Sequence, residues 1–101
     1  MNNLMIVGRV EKFPIINEKE NYVEITLKVK RPFKNMNEEY EVDYLPIKII
    51  SSMKQSCLDC FKEDSLVCVK GRLSRLKESN LEIIAEKLSY ISSEDNKNEN
   101  F

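Results

Sequence analysis

Two runs of strictly alternating side chains dominate this chain. Over residues 22–30, Val23, Ile25, Leu27 and Val29 fall on one side and Tyr22, Glu24, Thr26, Lys28 and Lys30 on the other. Over residues 44–50, Leu45, Ile47 and Ile49 alternate with Tyr44, Pro46, Lys48 and Ile50. A period of two belongs to a strand with one buried face, so both runs are predicted strands. Between them, Arg31-Pro-Phe-Lys34 and the polar residues 35–43 predict a protruding hairpin loop. Upstream, Leu4, Ile6 and Val10 alternate with Met5 and Val7, so the first strand is apolar on both faces, as when one side is buried and the other covered. A partner subunit is one such cover. Phe13-Pro14 ends that strand, because proline cannot donate to a central ladder, and residues 15–21 read as a loop.

Past the second run the period changes. Met53, Cys57, Cys60 and Phe61 recur at helical spacing behind Ser51 and Ser52, either of which can cap, and predict a helix of about three turns over residues 51–62. Residues 65–73 form a further strand, with Val67, Val69, Gly71 and Leu73 on one face and Arg72 on the other. A tight turn at 77–80 leads into a last strand over 81–91, with an irregularity near Glu86-Lys87 where the alternation slips. Three strands, a helix and two strands is the order of the OB-fold, a small five-stranded barrel with its helix between strands 3 and 4. The two glycines, Gly8 and Gly71, each lie inside a strand, where a lone glycine marks a bulge or sharp bend. An open α+β sheet capped by the helix is the alternative.

At 101 residues, 42% hydrophobic and 33% charged, the chain fits one small domain over residues 1–91, followed by a polar, flexible tail over 92–101. A formal net charge of −1 argues against a globally basic binder, so any nucleic-acid binding rests on a local patch. Lys28, Lys30, Arg31, Lys34, Lys48 and Arg72 are expected to form one continuous basic surface carrying the exposed rings of Phe33 and Tyr44. Each has a plainer reading: outward lysines keep an exposed strand solvated, Phe33 can fold back on Pro32, and Tyr44 can pack at a barrel rim. No apolar stretch approaches the roughly 20 residues of a membrane span, and no signal-peptide core opens the chain, so a cytoplasmic setting without membrane contact is expected.

Three cysteines do not make a secreted disulfide framework. Cys57-Leu-Asp-Cys60 has metal-knuckle spacing, but only Cys68 remains as a further thiol and there is no histidine, so buried structural cysteines are expected rather than zinc or a redox pair. Without histidine the usual general base is missing and no nucleophile has a recognisable activator. The chain is therefore not expected to be an enzyme or to need a cofactor.

Ile6-Val-Gly-Arg-Val10, Lys30-Arg-Pro-Phe-Lys-Asn35, Asp43-Tyr44 and Ser65-Leu-Val-Cys-Val-Lys-Gly-Arg-Leu73 together resemble the bacterial single-stranded DNA-binding protein family, over residues 2–91. The resemblance implies sequence-independent binding of single-stranded DNA in replication, recombination or mobile-element transfer, by aromatic stacking and phosphate neutralisation. It places Phe33 and Tyr44 at two stacking positions, Ile50 at a third, and loses a fourth in the shortened hairpin 75–80. Stacking contributes roughly 1–3 kcal/mol per base, so these departures imply a weaker binder whose affinity falls quickly with salt. The family also pairs its first strand across a two-fold axis, which implies a dimer or tetramer. Its members end in an acidic tip with a terminal Phe that docks on replication proteins, which makes Phe101 a partner-binding candidate. Two other readings are an OB scaffold docking to a helicase or primase, as in primosomal relatives, and an RNA-binding module.

Overall fold

The computed structural model describes residues 1–12 and 14–92, which form six strands and one helix. In chain order these are β1 (Leu4–Val10), β2 (Ile15–Asn17), β3 (Tyr22–Lys34), β4 (Tyr40–Ile49), α1 (Met53–Cys60), β5 (Leu66–Ser74) and β6 (Glu82–Ser92). The strand order is β1-β5-β6-β4-β3-β2, and a further pairing of β1 with β3 closes the sheet into a barrel. Neighbours run antiparallel except β4 and β6, which meet in parallel at Ile47↔Ile83 and Lys48↔Ile84. The five expected strands are all present, in the OB-fold layout rather than the open α+β sheet. The sixth strand, β2, is a short addition to one edge of β3.

The inward side chains follow the period-two pattern. Val23, Ile25 and Leu27 of β3, Ile47 and Ile49 of β4, Val10 of β1 and Val67 and Val69 of β5 share one core with Cys57 and Phe61. Packing of this kind, rather than any single bond, drives the closure. Leu73, expected on the inner face, lies past the end of that core and is 42% exposed.

Both glycines sit where a second backbone comes close. β1 pairs with β5 from Leu4 to Arg9 and with β3 at Arg9 and Val10, so it crosses from one side of the barrel to the other within one strand. At Gly8 a Cβ would lie 2.6 Å from the Lys28 carbonyl oxygen, so only a residue without one lets the strands approach. At Gly71 a Cβ would overlap the Ile84 carbonyl oxygen. There the ladder shifts, Lys70 pairing with Lys87 and Gly71 with Ala85, which leaves Glu86 as the extra residue of a bulge. The irregularity expected near Glu86-Lys87 is this bulge.

Several boundaries differ from expectation. Residues 15–21, read as a loop, contain β2, which pairs with Tyr22–Glu24 around a tight turn. The Asn17 side chain accepts the Glu20 N–H at 2.9 Å, and Asn21 takes a left-handed φ of 60°. Ile15 and Ile16 are both exposed, so burial leaves no mark of this strand in the sequence. The helix is eight residues, not three turns: Ser51 is left-handed and Ser52 is already helical, so its hydroxyl makes no cap, and Phe61 turns extended to bury its ring. The last strand runs through Ser92, which pairs with Leu66, one residue beyond the expected domain edge. The rest of the expected tail, with Phe101, and Phe13 of the expected strand end lie outside the described residues. Among the described residues no helix is long and apolar enough to cross a membrane.

Replacing Gly71 by Ala should lower stability by about 3 kcal/mol, the upper range for overpacking against backbone that cannot yield. The expected reading is a lower urea midpoint at unchanged slope; an unchanged midpoint would contradict the close approach of β5 and β6.

Candidate nucleic-acid interface

Because β3 and β4 turn Val23, Ile25, Leu27, Ile47 and Ile49 inward, the alternate residues of the same ladder face out. The register places Glu24 opposite Lys48, Thr26 opposite Pro46, Lys28 opposite Tyr44, Lys30 opposite Val42 and, past an irregular stretch, Lys34 opposite Tyr40. Directly opposed residues share a face. One strip therefore carries Lys48, Pro46, Tyr44, Val42 and Tyr40 on β4 beside Lys28, Lys30 and Lys34 on β3. Tyr44 is 55% exposed and Phe33, within the irregular stretch, 80%.

Beyond Lys30 the two strands leave the barrel as an arm, and the predicted loop 35–43 shrinks to residues 35–39. The Asn35 side chain accepts the N–H groups of Asn37 and Glu39 at 2.8 and 3.0 Å, and the Asn35 N–H donates to the Glu39 carbonyl at 2.8 Å. This closure continues the ladder to Lys34 and Tyr40. The Lys30 ammonium lies 4.7 Å and that of Lys34 5.7 Å from the Tyr40 ring centre, both within cation–π range. Tyr40 is the residue that sequence reading missed. Its signal was available: counting back by twos from Tyr44 reaches Val42 and Tyr40, but the polar composition of residues 35–43 hid the pattern.

The expected continuous basic surface is not what the structure shows. Lys28 bonds Asp64 at 3.3 Å, Lys48 bonds Glu82 at 3.3 Å and Arg72 bonds Glu86 at 3.0 Å. Arg31 holds both oxygens of Asp43, at 2.9 and 3.1 Å, and Glu41 at 2.9 Å. This hydrogen bonding draws the Asp43 carboxyl below its usual range and raises the Arg31 guanidinium. Asp43 alternates with Val42 and Tyr44, so Arg31 lies on the other side of the arm from Tyr40 and Tyr44. Among the described residues only Lys30 and Lys34 of the six have no carboxylate partner. A sequence shows where charges sit but not which carboxylate a long side chain will reach, and acidic residues are as frequent here as basic ones. Ion pairs this exposed are weak, since water and salt screen them, so a phosphate can compete for the cations.

Of the remaining predicted positions, Ile50 is half-buried just past β4. Hairpin 75–80 is closed by Arg75 Nε donating to the Ser79 carbonyl at 2.9 Å and presents Leu76, 77% exposed, where no ring stands. Cys57 alone is a buried structural cysteine, its thiol pushed up to about 11 by burial with Cys60 adding to the effect. Cys60, three residues on in the last helical turn, is exposed, and Cys68 is half-buried. Among the described residues no cluster of histidine, cysteine or carboxylate side chains could hold a metal ion.

The chain matches the Single-strand binding protein family over residues 1–91. It is 32% identical to Single-stranded DNA-binding protein 1 of Clostridium acetobutylicum over 77 residues, covering 72% of this chain and 70% of that protein. It is also 32% identical to Single-stranded DNA-binding protein 3 of Listeria innocua, covering 95% of this chain and 67% of that protein. Among solved structures, the small single-stranded DNA-binding protein from Streptomyces coelicolor superposes with a TM-score of 0.68 at 20% identity, over 90% of this chain and 95% of its own. The single-stranded DNA binding protein from Thermus aquaticus gives 0.72 at 14% identity, over 91% of this chain and half of its own. At these identities the two structures establish the shared fold.

Proposed function

This chain belongs to the single-strand binding protein family, and on that premise we propose that it binds single-stranded DNA without sequence preference, along the outer strip of β3 and β4. The observation that carries the reading is the pair of exposed rings Tyr40 and Tyr44 on that strip, beside Lys30 and Lys34, which have no carboxylate partner among the described residues, with Phe33 exposed on the same arm. Every base has a flat face that can stack on such rings, whatever its sequence, and the lysines meet the phosphates. Lys28, opposite Tyr44, Arg31, Lys48 and Arg72 contribute only as their carboxylates give way. The role is binding rather than catalysis, in replication, recombination or mobile-element transfer, and three free cysteines with one buried suit a reducing cytoplasm.

Family membership and the exposed Met5 of β1 also support association between copies through that strand. Met5 is 61% exposed and lines an open depression of about 570 Å³ with Asn3, Leu4, Lys70, Gly71, Glu86 and Lys87. Burying such a face is the usual gain of a two-fold pair. Light scattering at concentrations on the order of tens of micromolar is expected to give a dimer or larger; a monomer would contradict this association.

Oligo-dT should bind more tightly than duplex of equal length, and Tyr44→Ala should weaken it by about 1–3 kcal/mol. With two phosphates neutralised by Lys30 and Lys34, a short oligo-dT should show a log–log salt slope of about −1.4, against about −4 if all six cations engaged. Fluorescence titration at several salt concentrations reads all three quantities. Equal affinity for duplex, or indifference to Tyr44→Ala, would remove the stacking reading.

A further inference from the structure

The outer strip does not end at Tyr44. Four residues further along β4, roughly 13 Å at strand spacing, it runs through Pro46 into an open depression of about 70 Å³ between β3, β4 and the start of β6. Tyr22 and Pro46 form part of its wall, and Leu81, 64% exposed, stands at its edge. The Lys48 ammonium lies 4.4 Å from the centre of the Tyr22 ring and reaches Glu82 at its rim. The Tyr22 hydroxyl accepts a hydrogen bond from the Asn17 side chain at 3.2 Å, which fixes the ring from below the β2–β3 turn.

We propose that this slot is a second nucleobase site, in which one base of a bound strand lies against Tyr22, Pro46 and Leu81 while Lys48 leaves Glu82 for the adjoining phosphate. The inference rests on the function proposed above and extends it to a residue set at the opposite end of the strip from Phe33. Its chemistry selects a base rather than a phosphate. The walls are a ring, a proline and a leucine, and the carboxylates of Glu24 and Glu82 at the rim repel phosphate but can accept from the N–H groups that bases present on their edges. At about 70 Å³ the slot is too small to enclose a ligand, which suits a flat ring lying across its mouth. Its occupant is a base of the same strand because the slot is continuous with Tyr44 on one face of one ladder. From Lys34 to Tyr22, β3 spans about 40 Å, so a short oligonucleotide held at the Phe33 end does not reach the slot, and a long one does.

This geometry turns strand length into a test. Oligo-dT of about 4 and about 16 nucleotides, the two ends of the range for a single OB-fold, would be titrated against the full chain and against Leu81→Ser, a surface change remote from the core. Leu81→Ser should weaken binding of the longer oligonucleotide about tenfold and leave the shorter unchanged, and in the unaltered chain the longer one should show a salt slope steeper by about 0.7, one further phosphate. A Tyr22→Leu chain, which keeps bulk but loses the ring, should repeat the length-dependent loss. If Leu81→Ser and Tyr22→Leu bind both lengths as the unaltered chain does, while Tyr44→Ala weakens both, the slot is not a base site although the strip is. Failure of the unaltered chain to bind either oligonucleotide would overturn the strip and the slot together.

Discussion

The pairing of β3 with β4 decides both what this molecule hides and what it shows. Each residue turned inward to the core obliges its neighbour to face out, so the sequence that builds the barrel wall simultaneously writes the outer strip. Ile25, Leu27 and Ile47 are fully buried, and their intervening positions Thr26, Lys28, Pro46 and Tyr44 have no other side to occupy. A slip of one residue in this register would bury Lys28 and Tyr44 and expose the core, which is why the register is strongly held wherever one face is apolar. The arm beyond Lys30 has no such constraint from burial. Its pairing rests on backbone bonds, the Asn35 turn and the contacts of Arg31 with Asp43 and Glu41, and its rings stay exposed, Tyr40 with Lys30 and Lys34 against it.

Closing the barrel depends on two places without a side chain. β1 can serve β5 and β3 in succession only because nothing projects from Gly8 toward the Lys28 carbonyl, and β5 can follow the bulge at Glu86 only because nothing projects from Gly71. Lys28 thus stands at a junction: its carbonyl backs onto Gly8, while its side chain reaches Asp64 and lies opposite Tyr44. Closure of the barrel and placement of the strip are linked through that residue.

Where burial leaves a period, the chain could be read directly. The five barrel strands, the slip near Glu86 and the outward placement of Lys28, Lys30, Tyr44 and Lys48 follow from alternation, and the helix between β4 and β5 from the change to helical spacing. Features that bury nothing were illegible. β2 has both isoleucines exposed, and the arm that extends β3 and β4 looks polar, so Tyr40 passed as loop. Ion pairing was hidden for a different reason. Asp64, Glu82 and Glu86 are 36, 34 and 14 residues from the cations they meet, and only the closed barrel brings them together. The result is a surface whose rings are exposed but whose charge is largely spent internally, which shifts the expected binding from electrostatics toward stacking.

The most direct test of this account is an amide NMR titration of the full chain with oligo-dT. The account predicts that the largest shifts fall on the outer strip, at Lys28, Lys30, Lys34, Tyr40 and Tyr44, with little change at Lys70 and Lys87 on the β5–β6 side. Shifts concentrated at Lys70 and Lys87, with the strip silent, would show that DNA takes the other side of the barrel and would contradict it.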